Sequence, residues 1–180
     1  EALYRFLNND RVDAEALLGP HMQLTAARAA AARNVIVIHD TTVFSFGGES
    51  KREGLGRIKK GGQGFSAHVG LVVGLEDGVP LGVIGLIPTV RIAPLKPRAE
   101  TRSKVHERER EFERWNELLD DSVERLGDCS PIHVMDREAD AYTVLCKLAA
   151  SRHHFVIRSK NDRVLDVPAG DKEQPRSLYQ

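Results

Sequence analysis

Residues 66–87 carry the feature that most limits what this chain can fold into. Ser66–Leu75 and Val79–Ile87 are strand-like runs joined by Glu76-Asp77-Gly78. Asp-Gly between two such runs is a tight hairpin signal, because the turn needs a residue that tolerates positive φ. Further along, Ile132–Met135 and His154–Arg158 read as short strands separated by a helical stretch, Ala139–Arg152. A hairpin followed by helix-separated strands excludes the strict strand–helix alternation of a doubly wound sheet.

The rest of the chain fits around that frame. Val35-Ile36-Val37-Ile38-His39 is a β-branched run, expected to be a first strand buried on both faces. Before it, Leu3, Phe6 and Leu7 recur at helical spacing. Asp13 is placed to cap a helix that Gly19-Pro20 should stop, and His21–Ala32 forms another. Residues 45–64 contain seven glycines and are expected to be a long flexible loop rather than strands. Residues 105–126 read as a helix with Phe112, Trp115, Leu119, Val123 and Leu126 on one stripe. The expected fold class is α/β, a mixed five-stranded sheet flanked by helices in the ribonuclease-H-like arrangement. The expected organisation is a helical lead-in over 1–34 connecting to an N-terminal region absent here, the first part of a core over 35–160 and a polar tail or the start of an insertion over 161–180.

Composition narrows the function classes. The 180 residues are 41% hydrophobic and 29% charged, which suits a globular protein and not a disordered one. Lys plus Arg and Asp plus Glu are each 26, so binding to nucleic acid would have to rest on local charge. That charge is segregated. Lys51–Gly64 has five basic residues against one acid, and Arg91–Arg110 has seven against three. Glu111–Asp128 has seven acids against two arginines. A solvated loop beside a salt-bridged helix and a face turned to phosphates both agree with this pattern. The glycines around Lys59-Lys60 match neither a Walker motif nor a dinucleotide fingerprint. Cys129 and Cys146 cannot build a disulfide framework and suit a reducing compartment. No apolar run is long enough to span a membrane as a helix.

Two aspartates occupy one context. Asp40 and Asp136 each follow a short apolar strand. An ionised carboxylate there either caps the next turn or, if the strands are neighbours, converges with its counterpart on a hard cation such as Mg²⁺. Other chemistry-bearing residues carry less. His39 should point to the opposite sheet face from Asp40 by strand alternation. Trp115 and Phe112 read as core, His153-His154 lacks zinc partners, and Ser45, Ser66 and Ser103 lack a nucleophile-elbow context.

The run Asp136-Arg137-Glu138-Ala139-Asp140 resembles the "DREAD" signature of bacterial insertion-sequence transposases of the DDE type. That subgroup cuts DNA through a hairpin intermediate and includes composite-transposon transposases. The likeness extends through Ala141-Tyr142 to Phe155-Val156-Ile157-Arg158-Ser159-Lys160, to His39-Asp40-Thr41-Thr42 and to Tyr4-Arg5-Phe6-Leu7-Asn8-Asn9. The resemblance implies that Asp40 and Asp136 are catalytic ligands of Mg²⁺ (or Mn²⁺), with Glu138 as a possible accessory. Asp140 would support the following helix. Arg57, Lys59, Lys60, Arg158 and Lys160 are the expected phosphate contacts.

By the same resemblance the substrates would be double-stranded transposon-end DNA and target DNA, held by a homodimer in the bacterial nucleoid, with no membrane involved. The family's third carboxylate stands in a later Tyr–Arg–Glu–Lys pattern. Nothing after Lys160 matches that pattern, and Glu173 has a proline two residues on. The chain also starts at Glu1 without a methionine. It is therefore expected to be the front part of a catalytic domain and inactive by itself. A structure-specific nuclease and a non-catalytic DNA-binding remnant are the competing expectations.

Overall fold

A computed structural model describes residues 1–48, 50–58, 62–91, 101–151 and 153–164, with the backbone alone for 101–112. Its centre is β1 (Val35–Phe46), which pairs on one side with β3 (Gln63–Gly74) and on the other with β5 (Ile132–Met135). Short β2 (Gly56–Arg57) and β4 (Pro80–Thr89) both lie against β3, and β6 (His154–Ile157) lies against β5. Pairing is antiparallel from β1 through β3 to β4, and parallel from β1 through β5 to β6. The helices are α1 (Ala2–Leu7), α2 (Ala14–Ala32), α3 (Thr101–Leu126) and α4 (Tyr142–Ala150). The protein is thus α/β, with a mixed six-stranded sheet flanked by helices.

Several expectations are corrected. The sheet has six strands rather than five, because the glycine-rich segment contains β2 and lies between strands longer than expected. β1 does not stop at His39. Thr41, Thr42, Val43, Phe44 and Phe46 are strand-favouring residues that carry it on. The Phe44 and Phe65 rings then stack across β1 and β3 with centroids 4.8 Å apart. Gly64 is required there, since a Cβ would fall 1.9 Å from the carbonyl oxygen of Phe44.

Gly19-Pro20 does not end a helix, and α2 runs through it. Pro20 is exposed, so water can take the carbonyl that loses its amide partner. β1 is buried on one face only: Val35, Val37 and His39 are buried, while Ile38 is 39% exposed.

The core lies on the face defined by those odd-numbered β1 residues. One cluster joins Ala29 of α2, Leu126 of α3, Val35, Val37, Val72 and Ile84. A second joins Trp115 and Leu119 of α3, Val144 and Leu148 of α4, and Met135. The buried stripe of α3 is Trp115, Leu118, Leu119, Ser122 and Leu126, whereas Val123 is 37% exposed. The inward arc is centred one position earlier than the apolar residues alone suggest. It includes Ser122, whose hydroxyl donates to the Leu119 carbonyl and so enters the core without an unsatisfied proton.

α2 also grips β4 where its ladder with β3 is irregular. Gly82 adopts φ 142°, and the missing side chain leaves room for Thr25. The Val83 amide, beside the bulge, donates to His21 Nε2 at 3.0 Å, which replaces the ladder partner a bulge removes.

Under the sheet lies a group of neutral imidazoles. His39 Nε2 and His133 Nδ1 are 2.9 Å apart, and His68 Nδ1 is 2.9 Å from Thr41 Oγ1. The rings of His68 and Trp115 have centroids 4.1 Å apart. Burial, with His133 and His68 nearby, holds the His39 pKa well below its usual value. Burial, reinforced by Arg114, lowers His68 to about 4, and burial with His153 lowers His133 to about 4. A His39–His133 hydrogen bond needs one ring to accept, which two protonated rings cannot do.

Two predictions follow from this core. Leu118→Ala should lower unfolding free energy by about 2–5 kcal/mol, the range for a buried leucine truncation, read from the denaturant midpoint. Stability should be full above pH 6.5 and decline as pH falls towards 4. Over that interval the unfolded histidines bind protons that the folded ones refuse. Below about 4 the histidine share should level off as His68 and His133 protonate in the folded state as well, while Asp140, held below its usual carboxylate value, carries the decline on. Denaturation series across this range check the slope.

Candidate functional site

The parallel ladder of β1 and β5 ends with His39 opposite Met135. Asp40, which continues within β1, and Asp136, which directly follows β5, are the next residues, so the register sets them at one level on neighbouring segments. Since His39 and Met135 are both buried, alternation puts both aspartates on the other, exposed face. The β5–β6 ladder ends with Met135 opposite Ile157 and is prolonged by the Arg158 amide donating to the Met135 carbonyl at 3.1 Å. Arg158 therefore falls at the level of Asp136, giving the row Asp40, Asp136 and Arg158 across three adjacent strands.

Asp136 also caps. Its Oδ1 accepts the Glu138 amide at 2.8 Å and starts a 3-10 turn over Arg137–Ala139. Capping and convergence with Asp40 are therefore compatible at this residue. Glu138 turns away from the pair, towards α3, with Oε2 3.5 Å from Arg114 Nη2. No third His, Cys, Asp or Glu joins Asp40 and Asp136 in a metal-holding group among the described residues.

Asp140 has a part that sequence reasoning assigned to the helix dipole. α4 is instead capped at Ala141 without a side-chain bond. The Asp140 carboxylate is buried and accepts the amides of Lys160 at 2.6 Å and Asn161 at 2.8 Å, with Arg163 Nη1 also bonded to it. Burial alone would raise its pKa, but these donors outweigh that and hold it below the usual carboxylate value. Asp140 thereby ties the segment after β6 to the turn that bears Asp136.

Around that tie opens a cavity of about 850 Å³. Its wall includes Arg57 beside β2, Arg91 after β4, Arg114 of α3, Arg137 of the turn, and Lys160 and Arg163 after β6. Of the expected phosphate contacts, Arg57 and Lys160 line this cavity and Arg158 stands in the carboxylate row. Lys59 and Lys60 lie outside the described residues. Arg91, Arg114, Arg137 and Arg163 were not singled out from the sequence. For Arg114 a signal existed: it sits four residues before the buried Leu118, at the edge of the inward arc of α3. No described helix is long and apolar enough to cross a membrane. No family model matches the chain.

Asp140→Ala would strand Arg163 and two amides. It should cost about 2–3 kcal/mol of stability, mostly the two amides left without their charged acceptor, since Arg163 is one-third exposed and can turn to water. The exposed Asp136→Ala should cost about 1 kcal/mol, the usual value of a lost cap. Parallel denaturant titrations of the two variants test the ranking.

Proposed function

We propose that this chain carries a ribonuclease-H-like catalytic core of a DDE-type insertion-sequence transposase. In that role it acts on the phosphodiester bonds of transposon-end DNA by metal-dependent hydrolysis and strand transfer. The observation that carries the reading is the level register of Asp40 and Asp136, one position past the last paired residues of β1 and β5. A strand order of antiparallel hairpin followed by two parallel strands, with β1 central, agrees with it.

The donor chemistry fits the metal in kind. Both side chains are exposed carboxylates, and such hard oxygen donors suit Mg²⁺ or Mn²⁺. Asp40 and Asp136 would supply two of the ligands. A third carboxylate would have to come from outside the described residues. When bound, such an ion makes water or a 3′-hydroxyl a better nucleophile and stabilises the leaving oxygen.

The chain's own contributions are positional. β1 and β5 fix the two carboxylates, and the Glu138 amide fixes one oxygen of Asp136. Arg158 offers a cation beside them for a phosphate. Transposon-end and target DNA, and a homodimer bringing two ends together, belong to this reading. A non-catalytic DNA-binding remnant is the second reading. It is supported by the cations that line one cavity, which can hold phosphates without a metal.

Mn²⁺ titration followed by electron paramagnetic resonance decides between them. The catalytic-core reading expects binding that Asp40→Asn and Asp136→Asn each weaken by about tenfold or more, since affinity follows the charge of the ligand set. Glu138→Gln should leave it unchanged, because Glu138 is directed to Arg114. Mn²⁺ affinity indifferent to both aspartates would overturn the catalytic reading and leave the remnant.

A further inference from the structure

The cavity around Asp140 lies at the same sheet end as the aspartate pair but is built from other groups. Among the described residues six cationic side chains line it against two carboxylates, Glu138 and Asp140. Asp140 is already committed to Arg163 and to the Lys160 and Asn161 amides. Glu138 is 59% exposed and meets Arg114 only at 3.5 Å. Arg114 is the telling group. Its side chain is 12% exposed, and its Nε is buried without an acceptor among the described residues. A guanidinium so far removed from water, facing other cations, is costly unless an anion completes it. Arginine at such a position suits a phosphate, which accepts two parallel N–H bonds.

The wall also bears an aromatic surface. Tyr142, at the start of α4, lines the cavity and is 78% exposed. Trp115 closes the floor and is buried. Cations along a groove with an exposed aromatic ring are the parts from which single-stranded nucleic acid sites are made, phosphates on the cations and a base on the ring. About 850 Å³ accommodates a short stretch of one strand.

We propose that this cavity binds a single-stranded segment of DNA, with Arg57, Arg114 and Arg137 on its phosphates and Tyr142 stacked on a base. The proposal rests on the DNA reading above but not on the carboxylate pair or on a metal. A strand separated at the sheet end would be received on the helix-covered side, away from the face that carries Asp40 and Asp136.

The test is fluorescence anisotropy of the chain with a labelled 12-nucleotide single strand and with a hairpin duplex, in EDTA, over a salt series. Arg57→Ala/Arg137→Ala should weaken single-strand binding about tenfold or more. It should also lower the salt slope by about 1.4, the value for two lost single-strand phosphate contacts. Tyr142→Ala should weaken single-strand binding about tenfold, as expected for one stacked base, and leave duplex binding unchanged. Arg5→Ala/Arg11→Ala removes the same charge outside the cavity and should have a much smaller effect.

Equal losses from the two double variants would overturn the proposal, as would a Tyr142→Ala variant that binds like the parent. Inorganic phosphate or a mononucleotide binding as tightly as the 12-mer would identify a small-phosphate site instead, which also overturns it. Because the assay contains no metal, a parent chain that fails to bind the strand ends this proposal and leaves the Mn²⁺ result at Asp40 and Asp136 to stand or fall separately.

Discussion

The parallel pairing of β1 with β5 is the constraint on which the rest depends. It spans Ile36–His39 and Ile132–Met135, and it joins residues nearly a hundred positions apart. One register position decides where two carboxylates fall. A slip by one residue would bury Asp136 in the helix-covered core and expose Met135, because neighbouring strand residues face opposite sides. Val35, Val37, His133 and Met135, all buried on the same face, hold that register by the cost of exposing them.

The same core carries an unusual amount of polar surface. His39, His68 and His133 are each 2% exposed or less, where aliphatic side chains would pack with no partner to satisfy. Hydrogen bonds between His39 and His133 and between His68 and Thr41 offset part of the burial cost. His39 Nδ1, His68 Nε2 and His133 Nε2 nonetheless have no partner among the described residues. The arrangement fixes these rings as neutral, and it places the pH sensitivity of the fold directly beneath the strand end that holds the aspartates.

The signature 136–140 divides its labour among three acids. Asp136 caps the turn and stands beside Asp40, Glu138 approaches Arg114 of α3, and Asp140 anchors the segment after β6. Five consecutive residues thus connect the strand end, the long helix and the cavity wall. Alternation and turn geometry made the placement of Asp40 against His39 legible beforehand. The separate targets of Glu138 and Asp140 were not legible, because a turn of this kind sends successive side chains in divergent directions set by neighbours distant in sequence.

From its residues alone this chain determined the hairpin at Asp77-Gly78, the short strands at 132–135 and 154–157, the helical course of α3 and the place of Asp136 directly after its strand, whereas Asp40 lies within β1 and not at its end. These follow from local backbone preference and from apolar periodicity, which short windows contain. The extension of β1 to Phe46 and the passage of α2 through Pro20 were hidden, since the effect of a glycine or proline depends on the neighbours or solvent that compensate for it. Only the tertiary structure decided that Asp40 and Asp136 are adjacent, that Arg114 is nearly buried and that cations from five separate segments line one cavity. Those facts depend on strand order and on long-range packing, and no local stretch of sequence encodes the distance between residues that meet only when the sheet closes.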